Sequence, residues 1–304
     1  MRKELAKLYK ANGKLTAKEE RGLLLAYKKS LKRARGDIAE IYAKHEVGGK
    51  LTYAEMTKYN RLSSMFDGLK AEIYALSGET SKGVTRLAGS VYQDSYYTGA
   101  YAIEKSAQAK IGYYKLNTAE VKAAVQNPLS GVALSERLAK NRAELLFKTK
   151  AQLTQGLIRG EPYAETAERL TKVYNGDAKK ALRIIRTESH RCEAMGVSKS
   201  IDDAEDKGVE FERIWQTSLD SETRDDHVAM DGRAADKDGL FTLPDGSRCE
   251  APGLTGEPSQ DINCRCTVYG QIKGFDPGMR RIRGAGVIPE ESVTEWKTNR
   301  LMNR

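Results

Sequence analysis

Through its first 207 residues the chain repeats apolar side chains every three to four positions, and after Gly208 it stops doing so. A repeat of that period puts one apolar stripe on an α-helix, and such a stripe must be buried against another element. Leu24, Tyr27, Leu31, Ile38, Ile41 and Tyr42 form one stripe, and Met56, Tyr59, Leu62, Met65, Phe66, Leu69, Ile73 and Leu76 form the next. Beyond Gly208 the segments VEFERIWQTS and CRCTVYGQI alternate with period two, as strands do, and LFTLPDGSRCEA reads as a hairpin turning at Pro244-Asp245-Gly246. The expected class is therefore α+β: a mainly helical N-terminal two-thirds, a small loop-rich β-containing module and an extended C-terminal tail.

Punctuation residues divide the helical part. Asn12-Gly13 reads as the stop of a short first helix, and Thr16 followed by Glu19 as the capping box of a second. Gly48-Gly49 ends that helix, Thr52 opens another and Gly78 closes it. Asn117 caps a short helix that Asn127-Pro128 terminates. Later, Pro162 and Gly176 bracket a helix, and Asp177 caps its successor. The break at PLSGVALS suggests a boundary. The resulting division is 1–130 helical, 131–207 helical, 208–273 the β-containing module and 274–304 the tail.

Charge is distributed unevenly. The chain carries +9, and residues 1–50 hold 14 Lys and Arg against 6 Asp and Glu. A basic stretch of this kind suits a polyanionic neighbour, nucleic acid or an acidic protein surface, and also suits solvated helix faces. The tyrosines around Tyr92, Tyr96, Tyr97, Tyr101, Tyr113 and Tyr114 could stack bases, but on a helix they more often pack. No apolar run approaches the roughly 18 residues a bilayer-spanning helix needs, so no membrane-spanning segment is expected. The N-terminus MRKELAKLYK has no apolar signal core.

Three residue groups could carry chemistry. His227, Cys249, Cys264 and Cys266 supply three thiols and one imidazole, the donor set of a structural zinc site. Packing and a disulfide are the other readings, and all three stay open at this level. The stretch from Asp220 to Asp231 gathers Arg224, Asp225, Asp226 and His227, which a hydrolase could use as base and metal ligand. A local turn network, with Asp220 capping and Arg224 pairing, accounts for the same residues. In RTESHR, Glu188 stands about a turn from Arg191, the spacing of a buried salt bridge that anchors its helix.

The order of these pieces resembles a family. A helix runs from Gly160 to Ala167, and Arg186-Thr187-Glu188 follows it. Trp215 through Gly232 reads W-x-T-S-x-D-x-x-T-R-x-x-H-x-x-x-D-G. Pro252-Gly253 and Asn263-Cys264-Arg265-Cys266 complete the series. The pattern, over about residues 135–272, is similar to that of the phage head morphogenesis proteins, the Mu F-like minor capsid proteins.

The resemblance implies a minor head protein of a tailed phage, made in the host cytoplasm and then held inside the capsid of the virion. Its implied partners are the portal protein and the capsid interior, and its implied work is head assembly and the packaging or ejection of DNA. Double-stranded DNA could meet basic residues 1–50. Some family members carry C-terminal toxin domains, for which the residues after the NCRC segment leave no room. By resemblance the signature positions are Arg186, Glu188, Trp215, Asp220, Arg224, His227, Gly232, Asn263, Cys264 and Cys266, in structural roles; Cys249 has no place in the pattern. The rival expectation is a metal-dependent nuclease or transferase centred on His227 and Asp220.

Overall fold

A computed structural model describes residues 1–129, 131–218, 220–273 and 297–298. The tail expected over 274–304 therefore lies outside the described residues, apart from its two at 297 and 298. The class is α+β, as the change of period at Gly208 requires. Helices α1 (Arg2–His45), α2 (Tyr53–Thr57), α3 (Arg61–Ala107), α4 (Thr118–Gln126), α5 (Leu134–Arg159) and α6 (Tyr163–Glu205) come first. Then follow β1 (Phe211–Gln216), α7 (Asp225–Val228), β2 (Phe241–Thr242), β3 (Arg248–Cys249), α8 (Pro258–Asp261) and β4 (Thr267–Ile272).

The chain divides into two compact units, each assembled from separated stretches. One unit comprises Ala17–Thr85 and Val132–Ile185; the other comprises Met1–Thr16, Arg86–Gly131 and Arg186–Arg304. Helices α1, α3 and α6 each contribute to both.

The first unit is all helix. Its core takes most of the two stripes read from the sequence, with Tyr27, Ile38, Tyr42, Leu69, Ile73 and Leu76 buried against Leu153, Leu157, Leu170 and Tyr174, while Leu24 and Tyr59, expected in those stripes, are exposed. Buried polar ends are satisfied: the Tyr27 hydroxyl donates to Asp177 at 2.6 Å, and the Tyr42 hydroxyl donates to the Glu161 carbonyl at 3.1 Å. Asp177 is therefore not a helix cap, and α6 runs straight through Gly176. Likewise α3 runs through Gly78. A glycine inside a helix costs only about 1 kcal/mol relative to alanine, which the apolar stripe on either side outweighs. Thr52 does cap α2, accepting from the Glu55 amide. Between α2 and α3 the chain turns at Tyr59 and Asn60, both with positive φ.

The second unit begins with a further correction. Helix α1 passes through Gly13 without a break. Asn12 is buried, and its amide donates to Ser95 Oγ and to Glu193, while the Thr16 hydroxyl pairs with Ser189 at 2.7 Å. Both residues were expected to punctuate helices, and both are occupied by tertiary partners instead. Asn117 and Glu120 do form the capping box of α4. In this unit α3 and α6 approach closely. A Cβ on Gly196 would meet Ser95 Cβ at 2.8 Å and the Tyr92 carbonyl, and one on Gly99 would strike the Ser200 hydroxyl. Tyr92, Tyr96, Tyr97, Tyr101 and Tyr113 are all buried, so they pack and do not present faces for stacking bases. β1 and β4 pair antiparallel, with Trp215 opposite Val268, and β2 pairs with β3 across the expected turn.

Candidate functional site

The backbone that carries the two clustered thiols is not a strand. β4 starts at Thr267, one residue after Cys266. Before it, Asn263 adopts φ +57°, a left-handed conformation that asparagine tolerates better than most residues. Its amide donates to the Thr187 hydroxyl on α6 at 3.3 Å. The segment that follows brings both sulfurs to one point. Cys264 Sγ lies 3.6 Å and Cys266 Sγ 3.4 Å from His227 Nδ1, and all three side chains are buried. All four cysteines are free thiols.

His227 is held from three sides. It sits on α7 with its carbonyl accepting from the Thr217 hydroxyl at 2.6 Å. Its ring stands edge-on to the Trp215 indole at 5.5 Å, and Trp215 in turn stands edge-on to Phe241 at 5.4 Å. Its Nε2 lies 2.9 Å from Gln260 Oε1. The Gln260 amide nitrogen donates to Asp245 at 2.6 Å and to Asp226 at 3.1 Å. Two carboxylates on the nitrogen side fix which end of the amide faces the ring. An oxygen acceptor at Nε2 lets that nitrogen donate, and Nδ1 faces the sulfurs.

The sulfurs hydrogen-bond to each other, which raises the pKa of Cys264 and lowers that of Cys266; His227 adds to the lowering at Cys266. Cys249 stands on β3, outside this three-residue group, and burial pushes its thiol up to about 12. Of the four zinc-type residues named from the sequence, the structure groups three.

The acidic stretch is a turn network. Asp220 accepts from the Glu222 amide at 3.0 Å and pairs with Arg265 at 2.7 Å. Asp231 accepts from the Thr217 amide at 2.8 Å. Arg224 donates to the carbonyls of Gln260 and Ile262, tying α7 to the end of α8. Gly232, with φ +72°, closes the turn whose amide returns to the Trp215 carbonyl. Glu188 and Arg191 form a fully buried pair at 2.9 Å, and Arg191 also donates to the carbonyls of Ala124 and Val125 at the end of α4. Arg186 stands two residues before Glu188 on the same helix.

Three contributors escaped the sequence reading. Gln260 orients the imidazole. Asp261 accepts from the Thr255 amide and hydroxyl and from the Gly256 amide, stiffening the loop before the cysteines. His190 on α6 lies under the Pro252-Gly253 turn, where a Cβ on Gly253 would meet its Nε2 at 3.1 Å. Burial drives the His190 pKa down to about 4, with Cys266 and His227 as its charged neighbours and the Pro252 carbonyl as a hydrogen-bond partner. Gln260 and Asp261, single polar residues on a four-residue helix, carry no periodic signal; His190 stands on α6 within RTESHR, with no spacing that ties it to the cysteines.

The fold and this cluster define a small α+β module stapled by polar and sulfur groups onto a helix. Residues 148–269, which contain it, match the family described as Phage Mu protein F like protein. The chain is 32% identical to the Minor head protein GP7 of Bacillus phage SPP1 over 282 residues, covering 91% of each chain. The chain belongs to the Mu F-like head morphogenesis family. It is also 29% identical over 300 residues to a protein of Enterococcus faecalis (strain ATCC 700802 / V583) named NAD(+)--arginine ADP-ribosyltransferase EFV. That alignment takes in 98% of this chain and 60% of the Enterococcus protein. No solved structure matches the chain.

Proposed function

We propose that this protein is a minor head protein that sits inside the phage capsid at the portal and assists head assembly and the packaging or ejection of DNA. The observation that carries the reading is the near end-to-end similarity to the SPP1 minor head protein. It acts by binding. In support, Asp220, the nuclease partner considered for His227, is engaged by Arg265 on the exposed side of its turn, while His227 faces two thiols.

The arrangement of α1 supports an anionic partner. Lys18, Arg21, Lys28, Lys32 and Arg35 are exposed and follow one another at steps of three, four or seven residues, so they share one face. Leu25, also exposed, fills the gap in that row. At 1.5 Å per residue the row is about 25 Å long. A line of cations of this length fits a run of backbone phosphates, and its binding would weaken with salt through counterion release.

Two measurements test the reading. Particles carrying a tagged chain should cross-link it to the portal; its absence from purified particles would overturn the head assignment. Double-stranded DNA should bind with a steep negative salt slope that Lys28→Glu with Lys32→Glu flattens by about two charges. Salt-independent portal binding without DNA affinity would remove the DNA half and leave the portal half standing.

A further inference from the structure

The three donors His227 Nδ1, Cys264 Sγ and Cys266 Sγ are spaced as a metal ion would space them. Zinc–sulfur bonds of about 2.3 Å and zinc–nitrogen bonds of about 2.0 Å at tetrahedral angles put nitrogen and sulfur about 3.5 Å apart. The observed separations are 3.6 and 3.4 Å. The imidazole tautomer is the ligating one, because Gln260 takes the Nε2 proton and two carboxylates prevent its amide from turning round. A carbonyl-oxygen partner on the far nitrogen is the usual support of a ligating histidine.

A closed site needs a fourth donor. Cys249, the residue suggested by composition, lies outside the group. Asp261 is nearby in sequence, but both its oxygens already accept from Thr255 and Gly256. Gln260 Oε1 is committed to His227. His190 is different. Its Nε2 is buried, and among the described residues it has no hydrogen-bond partner. Its neighbours include both Cys266 and His227. Gly253 has no side chain to displace it.

We infer that this chain binds one zinc ion through His227 Nδ1, Cys264 Sγ and Cys266 Sγ, and that His190, rather than Cys249, closes the fourth position by a short movement of its ring. Binding releases the thiol protons of Cys264 and Cys266 to solvent and leaves both sulfurs as thiolates. The ion ties α6, α7 and the segment entering β4 to one point, in a module whose two sheets have two strands each. It is a structural staple. The inference stands apart from the portal and DNA reading, since it concerns folding and metal content alone.

The test uses the full chain purified under reducing conditions. Elemental analysis should find about one zinc per chain, and the cobalt(II)-substituted protein should show thiolate-to-cobalt charge transfer with the strong visible bands of a four-coordinate site. Cys264→Ser and Cys266→Ser should each lose these bands. Cys249→Ser should keep full stoichiometry. His190→Gln should weaken zinc affinity 10- to 100-fold in competition with a chromophoric chelator. Should His190→Gln not fold, Gly253→Ala gives the second reading: its methyl group pushes on the His190 ring and should weaken affinity in the same direction. Less than a tenth of an equivalent of zinc, together with no cobalt bands, would overturn the site. Loss of metal in Cys249→Ser with full retention in His190→Gln or Gly253→Ala would overturn the ligand assignment.

Discussion

The helical unit and the module that follows Gly208 solve the same problem with different materials. In the helical unit, stripes from α1, α3, α5 and α6 close on one another, and the core is almost entirely aliphatic and tyrosyl. In the module, Trp215, Phe211, Phe241 and a handful of aliphatic residues make up the apolar interior, and His227, Gln260, Asp261, Arg224 and two thiols add the polar fixing. A long helix buries a stripe whatever its loops do. A loop-rich segment of some sixty residues has too little apolar surface to order itself that way, and each of its turns needs its own polar partner.

The contrast can be broken most sharply at the base of the module. Arg191→Leu takes away the guanidinium that pairs with the buried Glu188 carboxylate at 2.9 Å, which should cost about 3–5 kcal/mol. Arg191→Leu with Glu188→Leu should recover a large part of it, and a double-mutant cycle in urea measures the difference. If the single change costs under 1 kcal/mol, the polar anchor is not what holds this end of α6. Leu170→Ala does the matching experiment in the helical unit. Its side chain is fully buried, so a cost of about 2–5 kcal/mol is expected by denaturation.

A third change probes charge rather than packing. Burial raises the Glu193 carboxyl from 4.5 to about 7, with the Asn12 amide only partly opposing it. The folded state then holds this proton more tightly than the unfolded state, so this group's contribution to stability is fully present below about pH 4.5 and is lost as pH rises toward 7. The slope from this one group is up to about 1.4 kcal/mol per pH unit. Glu193→Gln should remove that fall, giving a flatter melting temperature between pH 4.5 and 7 and a more stable protein at pH 8. A parallel pair of curves would refute the assignment.

Gly196→Ala should cost about 1–3 kcal/mol by forcing α3 and α6 apart where they nearly touch. Gly78→Ala is its opposite. Nothing lies within 4 Å of the added methyl, and the site is inside a helix, so a gain of up to about 1 kcal/mol is expected from the melting temperature.

These two glycines show where the sequence was readable. Gly78 looks like a stop signal, and so do Gly13 and Gly176, yet all three are passed over by continuous helices. The local preference is worth under a kilocalorie or so, and packing over dozens of residues outweighs it. Where a stop coincides with the end of the apolar repeat, as at Gly48-Gly49, the helix does end, and Gly160, expected to open a helix, instead caps the end of α5. At the site the same limit applies. The residue types and their order were legible. The participation of Gln260 and His190 was not, because hydrogen-bond partners 33 or more residues apart leave no pattern in the chain.

By itself the sequence determined the class of each region, since periods of 3.6 and 2 are properties of neighbouring residues. It also determined the family, through the order of Trp215, Arg224, His227 and the NCRC segment. Only the tertiary structure decided that both thiols meet His227 Nδ1, that Gln260 faces its Nε2, and that Cys249 stands apart. Those outcomes depend on distances between segments remote in the chain, and distance across a fold is fixed by packing.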